Sequence, residues 1–278
     1  MTPTQNAAPS STCFLQVDGG RIAYDVQGSG PLVLLVPGMA ELRSSYRLLA
    51  PALVEAGYTV ASTDLRGHGE SDTGFAGYGD PETAGDIVAL LEALGRPATV
   101  VGNSLAAGAA VIAAADRPEL VEGLVLVGPF VRNPPMPFGM KSLFHAMTAP
   151  LWVAAVWKAY MPSLYAGAKP ADFAEYRDAV IANLRRPGYG KAFSQTARLT
   201  DHAPAEARLA AVTAPALVVM GDRDPDFTNP AAEAAWIGET LGAEIVVVPD
   251  AGHYPHAQQP AITTDAVLAF LRSVHPDA

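Results

Sequence analysis

A serine separates an apolar, strand-like run from a helix of small residues in the stretch Val100-Val101-Gly102-Asn103-Ser104-Leu105-Ala106-Ala107-Gly108. A sharp turn from a buried strand into a helix pushes a side chain out of the sheet, and the small Gly102 and Ala106 leave room for such a turn. The first N–H groups of the helix would point at charge that develops on Ser104. The stretch therefore predicts a nucleophilic serine, although a serine that only caps the helix would fit these residues as well.

Apolar runs that end in turn residues alternate with helix-like segments on both sides of this serine. The run 32–36 is apolar throughout and closes at Pro37-Gly38, which is typical of a parallel strand covered by helices on both faces. Asp80 is the expected N-cap of one helix, and Gly95 is its expected end. The sequence predicts strands at 14–17, 21–26, 32–36, 59–63, 98–102, 123–128, 216–220 and 244–248, and helices at 43–56, 81–94, 104–115, 231–241 and 262–274. This order predicts an α/β fold with a doubly wound, mostly parallel sheet.

The pattern changes between Pro129 and about Ala203, where no strand-like run occurs. Met and aromatic residues accumulate there on segments with helical spacing: Met136, Phe138, Met140, Phe144, Met147, Trp152, Trp157, Tyr160, Met161 and Tyr165. The sequence thus predicts a loose N-terminal tail at 1–12, a core formed by 13–128 and 204–278, and a helical cap inserted at 129–203. Such side chains form adaptable apolar walls, so we expect a small to medium apolar or aromatic substrate.

The composition excludes several classes of function. Lys and Arg total 18 and Asp and Glu total 28, and the net charge of −10 opposes binding to the phosphate backbone of nucleic acids. No apolar run approaches the roughly 20 residues that cross a bilayer, so no membrane partner is expected. Residues 1–12 lack the basic and apolar regions of a signal peptide. Cys13, the single cysteine, permits no intrachain disulfide and favours a reducing, cytoplasmic location.

Two later loops complete a pattern with Ser104. Gly221-Asp222-Arg223-Asp224 follows the next-to-last strand, and Asp250-Ala251-Gly252-His253 follows the last strand. Loops that leave the carboxyl ends of parallel strands converge at one edge of a sheet, so these groups can meet in space. Together with the loop Asp64-Leu65-Arg66-Gly67-His68-Gly69-Glu70-Ser71, this arrangement resembles the α/β-hydrolase family. The nucleophile motif of that family is G-x-S-x-G, and its last glycine is replaced by Ala106 here.

The resemblance extends from about residue 14 to 274, apart from the cap, and implies a catalytic triad in the order Ser, Asp, His. Asp224 holds the usual acid position of the family, the fourth of Gly-x-x-Asp, and Asp222 and Asp226 remain alternatives. His253 matches the position of the family's base, whereas His256, three residues later, does not. The resemblance thus implies Asp224 as the acid that orients the base and His253 as the base.

The resemblance also implies an oxyanion hole of two backbone N–H groups. Leu105, directly after the serine, would supply one donor. Met39 takes the position of the second donor, and Ala40 is the alternative. Pro37 stands where the family commonly has a histidine, but the donor is a main-chain group, so the change need not abolish function.

No metal and no organic cofactor is expected. No Gly-rich phosphate-binding loop follows any predicted strand, and His253 and His256 have a ligand-like spacing without the further ligands of a metal site. The other four histidines are interpreted as structural or pocket-lining residues: His68, His145, His202 and His275.

These residues imply a carboxylic ester hydrolase with an acyl-enzyme intermediate. The Gly-Asn-Ser elbow also resembles that of carbon–carbon bond hydrolases, and cofactor-free perhydrolases share the framework, so both remain alternatives. A third alternative is a hydrolase-like receptor for small molecules. Haloalkane dehalogenase and epoxide hydrolase chemistry is disfavoured because those enzymes use Asp at the position of Ser104.

Overall fold

The structure, a computed structural model, describes residues 11–135 and 138–276 and is built around one eight-stranded sheet. The strands are β1 (Cys13–Val17), β2 (Gly20–Gln27), β3 (Leu32–Val36), β4 (Thr59–Thr63), β5 (Ala98–Asn103), β6 (Val121–Val127), β7 (Ala216–Gly221) and β8 (Glu244–Val248). They lie in the order β1-β2-β4-β3-β5-β6-β7-β8; the β1–β2 and β2–β4 pairs are antiparallel and the others are parallel. The predicted doubly wound, mostly parallel sheet is confirmed. Most of the predicted tail, residues 1–10, lies outside the described residues.

Helices cover both faces of the sheet. They are α1 (Leu49–Glu55), α2 (Asp80–Leu94), α3 (Leu105–Asp116), α4 (Met140–Met147), α5 (Val153–Leu164), α6 (Phe173–Leu184), α7 (Tyr189–Leu199), α8 (Ala203–Glu206), α9 (Pro230–Leu241), α10 (Pro255–Gln258) and α11 (Pro260–Val274). Leu32 and Leu34 pack with α2, α3 and α9, whereas Val33 and Leu35 pack with α1 and α11. Because both faces are buried, β3 is apolar at every position. None of the helices described is long and apolar enough to cross a membrane.

The first predicted helix starts six residues too early, and the other four predicted starts are displaced by one or two residues. The helix predicted at 43–56 begins at Leu49, and Arg43–Tyr46 forms a 3-10 turn instead. Arg43 is held by the loop after β4, since its N–H donates to Asp64 Oδ1 at 2.8 Å. Asp80 lies inside α2 rather than capping it, because its carboxylate bonds to His202 at 2.7 Å. Gly95 ends α2 in the left-handed conformation, with φ 71°, as predicted.

The segment between β6 and β7 forms α4 to α8. Its buried apolar side chains form one cluster with residues of two core loops, Ala40 after β3 and Tyr254 after β8. Trp157, Met161 and Tyr165 belong to this cluster, whereas five other residues of the predicted apolar set are exposed: Phe138, Met140, Met147, Trp152 and Tyr160. Met136 lies outside the described residues. The cluster attaches these helices to the carboxyl edge of the sheet.

Candidate active site

Ser104 lies at the turn between β5 and α3, in a conformation that few side chains adopt. Its φ is 58° and its ψ is −125°. A Cβ on Gly102 would come within 2.5 Å of the carbonyl oxygen of Ala106, so the turn requires a glycine there. The Ser104 side chain makes no capping hydrogen bond to α3. Ser104 thus occupies the N-cap position of α3, but its hydroxyl does not cap the helix and is free for another role.

Asp224 and His253 form a buried pair at the same edge of the sheet. Nδ1 of His253 lies 2.7 Å from Asp224 Oδ2, and both residues are 2% exposed. Asp222 instead accepts a hydrogen bond from the N–H of Ala251, at 3.3 Å. Asp226 also approaches the ring, with Oδ2 at 3.6 Å from Nδ1. The geometry thus gives Asp224 the hydrogen bond to the imidazole, with Asp226 as a second carboxylate beside it.

The surroundings of His253 change its acidity. Burial alone would lower the pKa of His253, but the negative charges of Asp224 and Asp226 outweigh burial and raise this pKa to about 9. Nε2, the other ring nitrogen, is the atom that can take a proton from a neighbouring hydroxyl. His253 and Ser104 line the same cavity.

Asn103, the residue before Ser104, connects the turn to the histidine loop. Its side-chain amide donates to the carbonyl oxygen of Val127, at 3.0 Å, and to that of His253, at 3.2 Å. Gly128 follows β6 in the left-handed region, with φ 50°, and a Cβ there would come within 3.3 Å of Asp224 Oδ2. Residues at the ends of β5 and β6 therefore contact both the loop that carries His253 and the loop that carries Asp224, next to the turn that carries Ser104.

His256, the rival of His253, is part of the core. It stacks on Tyr46 with 4.7 Å between ring centroids, and its Nε2 lies 2.9 Å from Ser45 Oγ. Burial lowers the pKa of His256 to about 3, so the ring is neutral. His68 is also buried and bonded to a backbone carbonyl, and burial lowers its pKa to about 4. Neither ring lines the cavity that contains Ser104.

The loop after β3 passes directly beside the serine. A Cβ on Gly38 would lie 2.9 Å from the Ser104 Cβ, so the glycine permits this close approach. Met39 lines the cavity together with Leu105, whereas Ala40 is buried in the cluster beneath α5 and α6. Leu105 is the first residue of α3, where backbone N–H groups have no partner within the helix.

A buried acid that the sequence did not indicate holds this loop in place. Glu41 is fully buried and accepts a 2.6 Å hydrogen bond from the hydroxyl of Tyr176 in α6. The same hydroxyl accepts a hydrogen bond from the N–H of Leu42, at 3.2 Å. Burial raises the pKa of Glu41 and favours its neutral form. Tyr176 and Glu41 thus anchor the loop that begins at Pro37.

The cavity above Ser104 has a volume of about 810 Å³ and mixed walls. Phe130, Phe144, Trp157 and Leu164 form apolar parts of its lining, and His202 is a polar part. Three cationic or titratable side chains line it as well: Lys141, His145 and Arg198. Burial and the charges of Arg198 and Lys141 lower the pKa of His145, which places these groups near one another. The carboxylates of Asp201 and Asp226 line the same cavity, so its wall combines apolar surface with charged groups of both signs.

His202 forms a second Asp–His pair in this wall. Its Nδ1 lies 2.7 Å from Oδ2 of the buried Asp80, and its ring stacks on Phe130 with centroids 5.2 Å apart. The sequence placed His202 at the exit of the cap without a role. Its partner is 122 residues away in the chain, so no local pattern announces the pair.

One group of side chains in the described ranges has the spacing of a metal site. The ligand atoms of Asp224, Asp226 and His253 lie within 4.8 Å of one another. Nδ1 of His253 must carry its proton to donate to Asp224, however, and a protonated nitrogen has no lone pair for a metal ion. The hydrogen-bonded pair therefore favours proton transfer over metal binding at this position.

Comparison with known proteins identifies the family and the fold. Residues 33–266 match the model of a family described as the alpha/beta hydrolase family. The chain is 32% identical over 268 residues to the 2-(acetamidomethylene)succinate hydrolase of Mesorhizobium japonicum. The aligned region covers 92% of this chain and 94% of that relative. Two solved structures share the fold: a bromoperoxidase from Bacillus anthracis, with TM-score 0.82, 23% identity and 94% and 100% coverage of the two chains, and an esterase from Exiguobacterium antarcticum, with TM-score 0.81, 21% identity and 93% and 98% coverage.

Proposed function

We propose that this chain, which belongs to the alpha/beta hydrolase family, is a serine hydrolase that cleaves carboxylic esters through an acyl-enzyme intermediate. The observation that carries the proposal is that Ser104, in its strained turn, and His253 line one cavity, while Asp224 bonds to the other side of the His253 ring. A nucleophile, a base and an acid that orients the base are the groups that acyl transfer by serine requires.

In the proposed mechanism, His253 Nε2 takes the proton of Ser104 while Ser104 Oγ bonds to the substrate carbonyl carbon. The carbonyl oxygen becomes an oxyanion, which accepts hydrogen bonds from the backbone N–H groups of Leu105 and Met39. The imidazolium returns its proton to the leaving alcohol as the C–O bond breaks. Water then attacks the acyl-enzyme with the same base, which releases the acid and restores the serine. Asp224 keeps the Nδ1 proton in place throughout.

The lining of the cavity supports a substrate of small to medium size with an apolar or aromatic portion. Trp157, Phe144 and Leu164 offer apolar surface beside Ser104. Residues 129–203 would act as the cap that carries most of this wall. Lys141 and Arg198 add a site for negative charge. The substrate would therefore combine an apolar portion, in its acyl group or its alcohol, with a polar or anionic group.

A second candidate is hydrolysis of an amide rather than an ester. The relative from Mesorhizobium japonicum is named for a substrate with an acetamido group, and it covers nearly the whole chain. The same triad serves both reactions, because attack on the acyl carbon is common to them and only the leaving group differs.

Cytoplasmic location is part of the proposal and is supported by the free, exposed Cys13.

The proposal is tested by hydrolysis of 4-nitrophenyl acetate, butyrate, octanoate and laurate, with the anionic mono-4-nitrophenyl succinate as a further member. We expect turnover by the wild type with an optimum at short or medium chain length. Ser104→Ala should lower kcat at least about 10³-fold, since removal of a triad member has effects of this size. Ser273→Ala is the matched control, because Ser273 lies on α11 and bonds only to the carbonyl of Phe270.

Turnover that survives in Ser104→Ala would contradict the nucleophile assignment. If neither protein hydrolyses any ester, a matched 4-nitroanilide series decides between the amide candidate and the carbon–carbon hydrolase, perhydrolase or receptor alternatives. A preference for the succinate ester over the butyrate ester would indicate that Lys141 and Arg198 bind a carboxylate.

A further inference from the structure

A second carboxylate shares the imidazole of His253 with Asp224. Oδ2 of Asp226 lies 3.6 Å from Nδ1 of His253. Its other oxygen, Oδ1, accepts a 3.0 Å hydrogen bond from the hydroxyl of Tyr160. The N–H of Asp226 donates to Asp224 Oδ1 at 3.1 Å, so both carboxylates are fixed in one turn. Asp226 also lines the cavity that contains Ser104.

Tyr160 belongs to α5, and this helix touches the base at a second point. The N–H of His253 donates to the carbonyl oxygen of Leu164, the last residue of α5, at 2.8 Å. A Cβ on Gly252 would come within 2.3 Å of that carbonyl oxygen, so the histidine loop lies directly against the helix. One helix of the cap therefore contacts both the main chain of His253 and the carboxylate beside its ring.

We propose that Asp226, held by Tyr160, is a positioning residue that sets the pH range in which His253 acts as a base. The inference rests on the proposed function of His253. A second anion stabilises the imidazolium that forms when the ring takes the proton of Ser104. It also makes the free base available only at higher pH, since the charged ring cannot accept a proton. Tyr160 thus links the cap to the base through its hydrogen bond to Asp226.

The other titratable groups near His253 contribute less charge than the two aspartates. Burial raises the pKa of Glu41 and of Tyr254, which favours their neutral forms. Burial lowers the pKa of His256 to about 3, so this ring is neutral too. Tyr160 itself stays protonated, because burial and the carboxylate of Asp226 raise the pKa of its hydroxyl. Burial raises the pKa of Asp226 as well, whereas the charge of His253 and the hydrogen bond from Tyr160 oppose this rise. Asp224 and Asp226 are therefore the main sources of negative charge at the ring, with a smaller contribution from Glu41.

The test compares the wild type with Asp226→Asn and Tyr160→Phe in two measurements. The first is the pH profile of kcat/KM for an ester that the wild type hydrolyses. In Asp226→Asn we expect the acidic limb to move down by about 1–3 pH units, because loss of an opposite charge at this distance lowers the pKa of the imidazole by that amount. Tyr160→Phe should move the limb in the same direction by less, since the carboxylate remains but loses the hydrogen bond that holds it.

The second measurement is an NMR titration of the histidine rings in the Ser104→Ala background, with the His253 signal assigned by its loss in His253→Gln. This readout needs no turnover, so it tests Asp226 even if the proposed ester hydrolysis fails. Asp222→Asn is the matched control, because this exposed carboxylate lies in the same loop and does not contact the ring. If Asp226→Asn titrates like Asp222→Asn in both measurements, Asp226 has no such role, and Asp226→Ser provides a second variant should the first not fold.

Discussion

At the scale of single residues, strained backbone marks the neighbourhood of the proposed site. Within the ranges 11–135 and 138–276, the non-glycine residues with positive φ are Ala40, Ser104 and Asp250. Ala40 follows Met39, and Asp250 opens the loop that carries His253. Such conformations persist only where the surrounding structure determines them. Their position at three loops around one cavity supports the assignment of that cavity as the reaction site.

Asp224 is expected to matter through the tautomer of His253 rather than through its charge alone. An asparagine at this position can donate a hydrogen bond from its amide to Nδ1, which favours the tautomer without a proton on Nδ1. The proton then lies on Nε2, where the base needs a lone pair. We expect Asp224→Asn to lower kcat about 10³–10⁴-fold with little change in the folded structure, as in other serine triads. Steady-state kinetics with 4-nitrophenyl butyrate measure the loss. If Asp222→Asn lowers kcat more than Asp224→Asn does, Asp222 and not Asp224 is the acid.

Ser104, Asp224 and His253 could be predicted because each follows the end of a predicted strand. The resemblance to the α/β-hydrolase family chose Asp224 over Asp222 and Asp226, and His253 over His256. The structure brings Ser104, Asp224 and His253 together, and their catalytic roles stay predictions. The contact between Tyr160 and Asp226 could not be predicted, since these residues are 66 positions apart and meet only through the placement of α5. Local patterns therefore indicate groups at strand ends, but not the side chains that a distant helix such as α5 places beside them.

At the scale of elements, α6 holds the loop that would supply one oxyanion donor. Tyr176 is the single side chain of α6 that bonds to both Glu41 and Leu42. Arg43 continues the anchoring through its bond to Asp64 in the loop after β4. The position of Met39 thus depends on two neighbouring elements, although its own loop contains no regular structure.

Tyr176→Phe should therefore affect both stability and catalysis. The change leaves a buried acid and a backbone N–H without their partner, which costs about 1–3 kcal/mol of the free energy of unfolding. We also expect a lower kcat, because the N–H of Met39 loses its fixed position. Urea denaturation and ester kinetics measure the two effects. Tyr189→Phe removes a hydroxyl that bonds only to the carbonyl of Ser71, so it should reduce stability while kcat stays at the wild-type value.

Equal catalytic losses in these two tyrosine variants would indicate a general loss of stability instead of a local effect on the loop.

Strands were easier to predict than helices for a physical reason. β3, β4 and β8 have the predicted bounds. For β3 the reason is burial on both faces, which makes the strand an apolar run with sharp ends. The helix after β3 was predicted six residues too early, because Arg43 is fixed by Asp64, 21 positions away. Tertiary bonds of this kind override the helical preference of a segment, and no periodicity reports them.

At the scale of the whole molecule, two buried histidines make the folded state sensitive to acid. Burial lowers the pKa of His68 to about 4 and that of His256 to about 3. An unfolded histidine has a pKa near 6.5, so below that pH the unfolded chain binds protons that the folded chain does not. The stability that these rings contribute is fully present above pH 6.5 and is lost as the pH falls toward 4. Buried carboxylates with a raised pKa, such as Asp64 and Asp86, act in the opposite direction over the mildly acidic range.

His256→Gln separates these opposing effects, because it removes one histidine and leaves every carboxylate unchanged. Between pH 7.5 and pH 5.0 the wild-type ring should cost about 2 kcal/mol of stability, since the unfolded state gains a proton that the folded state excludes. The fall in Tm over this range should therefore be about 4–8 °C smaller in His256→Gln than in the wild type, as calorimetry at the two pH values would measure. His68→Gln should reduce the fall in the same way from a different part of the core. If both variants lose as much Tm on acidification as the wild type, the two rings are already charged in the folded protein, and their neutral, buried state is wrong.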